Sequence, residues 1–145
     1  MKSYHPFNNS SLKNSDHLSR VFVYGTLRKG GSNSALLQDA HFEAHTELTG
    51  FKLYTLGRFP CILPDPERNA ILKIESYLVT DDILARLDQL ESYYGDGHPK
   101  NLYNRITVIS NCGKTGFVYV FSAAQWPIYR KNSALITNGD WMDRG

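Results

Sequence analysis

The run Val21 to Tyr24, VFVY, passes without a spacer into GTLRKGG. β-Branched and aromatic residues between Arg20 and Gly25 predict a short buried strand. The glycines Gly25, Gly30 and Gly31 then force the fold to bring main chain close to something at the strand's end. Gly25 lets the backbone bend so that the N–H groups of Thr26 and Leu27 point at one anion, forming a nest that suits a carboxylate. The alternative is a plain turn. A nucleotide is set aside, because the spacing lacks the lysine of a G-x-x-x-x-G-K-[ST] loop.

Downstream, Ser32 or Asn33 is placed to cap a two-turn helix reaching Ala40. Phe42 to Leu56, interrupted by Gly50, predicts two strands or one bent strand with a bulge. The stretch GRFPCILPDPERN holds three prolines and predicts irregular surface chain. Ala70 to Val79 alternates as a strand, with Leu72, Ile74, Ser76 and Leu78 on one face and Lys73, Glu75 and Tyr77 on the other. Thr80, Asp81 and Asp82 supply a cap and first-turn negative charge for a helix through ILARLDQLE. Tyr103 to Ile109 and Thr115 to Phe121 read as a hairpin around Asn111 to Lys114. A short helical turn is expected near Ser133 to Ile136. This order favours one α+β domain, residues 20–145, on a mixed, barrel-like sheet with a few short helices. Residues 1–19, rich in Ser, Asn and Lys, read as a flexible polar arm without the apolar core of a signal peptide.

The charges, 16 Lys plus Arg against 14 Asp plus Glu, are scattered. They form no stripe that could follow phosphates, which argues against nucleic acid as a partner. Apolar runs are too short for a membrane-spanning helix. Cys61 and Cys112 match neither a zinc spacing nor a disulfide framework, and suggest a reducing, cytoplasmic setting. His41 and His45 have i, i+4 spacing without an acidic third ligand, so no metal site is assigned.

Glu91 lies four residues after Leu87 and seven after Leu84, on the stripe that this helix should bury. A carboxyl held there would titrate above its ordinary range and so serve as an acid or base near neutral pH. It could equally hang from a fraying helix end, and pattern alone leaves both readings open. Tyr103 shares a face with Arg105, and Phe117 shares one with Tyr119 and Phe121; such sets either pack a core or line a ligand.

Taken together, VFVYGTLRKGGSNSALL, LDQLE, LYNRITV, FVYVF and LITNGDW, over about residues 20 to 141, resemble the γ-glutamylcyclotransferase family, in its γ-glutamylamine cyclotransferase-like branch. The resemblance implies a pocketed fold in which the loop of Tyr24, Gly25, Thr26 and Leu27 binds the α-carboxylate of a γ-glutamyl substrate. It makes Glu91 the catalytic acid/base and puts Tyr103 and Tyr119 at pocket positions, with Arg105 of the same Y-x-R motif joining them as a substrate contact. It implies no cofactor: the substrate's α-amino group attacks its own γ-carbonyl, releasing 5-oxoproline. It does not fix the leaving group or the oligomeric state. Relatives commonly carry Gly-Glu-x-Tyr where this chain has Ile74-Glu75-Ser76-Tyr77, and usually a glycine directly after the glutamate and often a shorter run where its loop between Glu91 and Tyr103 contains Tyr93, Tyr94, Gly95, Asp96 and Gly97. Acyl transfer to an external amine, or a pocket that binds without turnover, are the competing readings.

Overall fold

The computed structural model describes residues 17–144, and residues 1–16 of the expected arm lie outside them. Strand β1 spans Leu18–Val23, longer than the apolar run, because Leu18 and Ser19 pair with Thr80 and Val79 of the strand that precedes the first α-helix. Strands β2 (His41–Thr49) and β3 (Phe51–Thr55) are parted by Gly50, at φ +108°, and β2 carries an irregularity between Phe42 and Ala44. Of the two readings the sequence left open, the two-strand one holds, and the register shift near Phe42 lies elsewhere than at Gly50. Strand β5 (Ile71–Thr80) feeds helix α1 (Asp81–Leu90), whose first turn is capped by Thr80 Oγ1 accepting from the Ile83 N–H at 3.3 Å. Strands β6 (Tyr103–Ile109) and β7 (Thr115–Phe121) form the expected hairpin.

Three local expectations are corrected. Pro60–Pro64, inside the proline-rich stretch, is strand β4. It is an edge strand, where a missing proline N–H faces away from the ladder and breaks nothing. The helical turn expected near Ser133 is instead β8 (Ala134–Ile136), paired with β3; short helical turns, α2 (Trp126–Tyr129) and a 3-10 turn at Arg130–Asn132, come just before it. The helix expected from Asn33 to Ala40 is one 3-10 turn, Ser34–Leu37. Asn33 does not cap it, because its side-chain amide donates to Thr26 Oγ1 at 2.9 Å.

The strands form a mixed five-stranded sheet, β2-β5-β1-β7-β6, in which only β1 and β7 run parallel, and a three-stranded sheet, β4-β3-β8. Alternation along β1 builds both core layers. Val21 and Val23 join a cluster with Ile83 and Leu87 of α1, while Phe22 and Tyr24 join Leu53, Ile62 and Ile136 of the smaller sheet. Buried on both faces, β1 ends inside the molecule, and the loop after it opens there. Among the described residues no helix is long and apolar enough to cross a membrane.

Candidate active site

Antiparallel pairing sets Val23 opposite Glu75, so the carboxylate of Glu75 lies under the loop that follows Tyr24. Glu75 is 1 % exposed. It accepts from the Lys29 N–H at 2.9 Å, from Arg28 Nε at 3.0 Å and from the Tyr77 hydroxyl at 3.0 Å. Arg28 also donates through Nη1 to Asp140 at 2.8 Å, tying the loop to the NGDW segment near the chain's end. Such a buried charge is tolerable only with partners on all sides, which it has. Periodicity put Glu75 only on the face shared with Lys73 and Tyr77; its carboxylate is the loop's foundation.

The loop is tight for the reasons its glycines suggest. A Cβ on Gly25 would lie 2.1 Å from Pro60 Cγ, and one on Gly31 would lie 2.3 Å from the Thr26 carbonyl oxygen. The Arg28 N–H turns back to the Gly25 carbonyl at 2.9 Å and the Asn33 N–H to the Thr26 carbonyl at 2.8 Å. Among the described residues nothing accepts from the N–H groups of Thr26 and Leu27. They remain available to an anion.

Facing this loop is a cavity of about 390 Å3. Tyr24, Gly25, Thr26 and Leu27 line it, as do Glu91, Tyr103 and Tyr119, so the structure brings together seven of the eight residues singled out from the sequence. Phe121, Pro60 and Leu102 complete much of the wall.

Glu91 gets there through the way α1 stops. The Ser92 N–H reaches the Gln89 carbonyl and the Tyr93 N–H the Asp88 carbonyl, a Schellman ending that turns the chain sharply away and leaves Glu91 on the inner corner. Ser92 adopts φ +54°, the left-handed region where glycine is at ease. The fraying alternative is thereby excluded: Glu91 is held by its own N–H on the Leu87 carbonyl at 3.0 Å. Its carboxyl fronts the cavity yet has protein on nearly every other side, and this burial pushes its pKa up to about 7. No cation pairs with it among the described residues.

The tyrosines are held as neutral donors. Burial raises the Tyr24, Tyr103 and Tyr119 phenols well above their ordinary range, with Asp88 adding to the effect at Tyr119. Tyr24 donates to the Tyr119 carbonyl and Tyr103 to the Pro60 carbonyl, each at 2.7 Å, so their rings form the wall while their hydroxyls brace it.

Arg105 is a correction. It does not line the cavity; its guanidinium grips Asp88 at 2.6 Å and lies over the Phe117 ring at 4.5 Å. Sharing a strand face with Tyr103 did not bring it to the cavity wall, because a carboxylate on α1 intercepts it. Asp88, which the sequence reading passed over, also accepts from the Tyr119 hydroxyl at 2.6 Å and so orients a cavity ring. Its signal was its place in LDQLE, one turn before Glu91.

Comparison with known proteins places the chain in a family. The family model described as γ-glutamyl cyclotransferase, AIG2-like, matches residues 21–143. A γ-L-glutamyl-butirosin B γ-glutamyl cyclotransferase from Niallia circulans is 30% identical over 135 residues, covering 85% of each chain. The γ-glutamylcyclotransferase family protein YtfP of Escherichia coli K12 is 31% identical over 125 residues, covering 86% of this chain and 97% of that one. Among solved structures, an AIG2-like protein from Mus musculus superposes with a TM-score of 0.64 at 25% identity, over 79% of this chain and 83% of that one.

Proposed function

The chain belongs to the AIG2-like γ-glutamyl cyclotransferase family, and we propose that it releases 5-oxoproline from a small γ-glutamyl amine or γ-glutamyl amino acid in the cytoplasm. The observation that carries this reading is a carboxyl, Glu91, held near neutral pKa in a cavity whose opposite wall offers free main-chain N–H groups.

The substrate's α-carboxylate sits in the nest formed by Thr26 and Leu27, as the charge of a nest favours. That leaves the α-ammonium and the γ-amide towards Glu91. Ionised Glu91 takes a proton from the ammonium, and the freed amine attacks the γ-carbonyl carbon. A C–N bond closes the five-membered lactam, the old amide C–N bond breaks, the proton on Glu91 passes to the departing nitrogen, and the second proton that the attacking nitrogen must shed to become the lactam N–H leaves to solvent. One carboxyl with a pKa near 7 serves both transfers, because it accepts and returns a proton at similar cost. Nucleophile and electrophile belong to one molecule, so holding it folded supplies much of the acceleration. All bonds made and broken lie in the substrate, and the proposed reaction calls for no cofactor.

The test is Glu91→Gln, which keeps size and removes the base. The variant is expected to release 5-oxoproline about 10²–10⁴-fold more slowly, while folding normally and still binding the γ-glutamyl compound. Undiminished release, followed by mass spectrometry, would remove Glu91 from the mechanism.

A further inference from the structure

This inference rests on the cyclotransferase reading and concerns the half of the substrate that departs. At about 390 Å3, the cavity lies within the range of roughly 300–1,000 Å3 that holds whole small organic ligands, and exceeds what a glutamyl unit fills. Away from the Tyr24–Leu27 loop its wall is apolar, with Leu56, Phe59, Leu90, Leu102, Phe121 and Tyr129. Among the described residues that line it, Glu91 is the one carboxylate, and there is no Lys, Arg or His. Arg58 and Arg130, chain neighbours of Phe59 and Tyr129, do not reach the wall.

Large apolar side chains stay open to solvent at this wall: Phe59 is 60 % exposed, Leu90 40 % and Tyr129 38 %. They come from separate places, the β3–β4 turn, the end of α1 and the end of α2, so no single element explains their exposure. Tyr129 stands edge-on to Phe121 at 5.4 Å, which continues the aromatic surface inward from the rim. A carboxylate entering here loses hydration with no cation to receive it, and a departing-group ammonium meets no carboxylate but Glu91, which the proposed reaction gives to the α-ammonium. An aryl or alkyl group instead covers surface that is already out of its preferred environment.

We propose that Leu56, Phe59, Leu90 and Tyr129 form the leaving-group subsite, and that it selects uncharged, apolar amines: γ-glutamyl arylamides and alkylamides over conjugates whose departing part carries an ammonium or a carboxylate. The bond changes are those of the cyclisation itself: of the two protons the α-ammonium loses on becoming the lactam N–H, one ends on the departing arylamine or alkylamine nitrogen and the other leaves to solvent.

Two readouts separate the subsite from the chemistry. Calorimetry on Glu91→Gln compares γ-glutamyl anilide with γ-glutamyl-ε-lysine; the anilide is expected to bind roughly tenfold tighter or better. Equal or weaker binding of the anilide, or binding of neither, would overturn the subsite whatever the enzyme's activity. Phe59→Ala in the same background is expected to narrow the affinity ratio, and an unchanged ratio would also overturn it. Release of 5-oxoproline by the unaltered protein is the second readout. Release from the lysine conjugate at an equal or higher kcat/KM overturns the selectivity and leaves the cyclotransferase reading standing. Release from neither overturns the reaction, and binding then decides the subsite alone.

Discussion

At the scale of single residues, the account turns on a carboxyl that is costly to keep where it is. In the unfolded chain Glu91 titrates at its ordinary 4.5, in the folded chain near 7. Between these values the folded state holds the extra proton, so stability is fullest below about pH 4.5 and falls as pH rises through about 7. Glu91→Gln removes this penalty. Its melting temperature relative to the parent protein is therefore expected to rise between about pH 5 and about pH 8, with a ceiling of about 3 kcal/mol set by the size of the shift. A constant difference across that range would mean that the carboxyl is well hydrated. A charge on an apolar stripe drew attention to the residue in the sequence, but pattern alone left a frayed helix end equally open, and the resemblance decided between them. Arg105 was misread for the complementary reason: strand periodicity gives the face of a side chain, but the carboxylate that captures it, Asp88, comes from another element.

At the scale of elements, the end of α1 is where this chain departs from the glycine usual in the resemblance. Ser92 sits at φ +54° to close the Schellman turn, and a residue with a Cβ pays roughly 1 kcal/mol or more there. Ser92→Gly is expected to raise the urea midpoint by about 1 kcal/mol in stability while leaving Glu91 in place; a lower midpoint would show that Ser92 is unstrained. The strong elements, α1 and the β6–β7 hairpin, were readable because caps, periodicity and turn chemistry agreed. β4 and β8 were not. Prolines at both ends hide the first, and the second is three residues whose strand character comes from pairing with β3.

At the scale of the whole molecule, residues from the middle of the chain and from near its C-terminal end hold the binding loop. Arg28 spans Glu75 of β5 and Asp140 near the C-terminal end, so loop, sheet and tail share one buried charge cluster. Glu75→Ala leaves Arg28 short of a buried partner and is expected to cost about 3–5 kcal/mol, measured as a fall in the urea midpoint, with weaker binding of the γ-glutamyl ligand. A loss under 1 kcal/mol would mean that water replaces the carboxylate readily. This cluster could not be foreseen from sequence, since local pattern says which face a strand buries and not that β1 lies between β5 and β7.

The central claim, that Glu91 removes the substrate's ammonium proton, is tested most directly by the pH dependence of kcat/KM for 5-oxoproline release. The rate is predicted to rise with pH and level off above about 7, the pKa at which burial holds this carboxyl. A rate that keeps climbing tenfold per pH unit beyond that point, following the substrate's own ammonium, would contradict it.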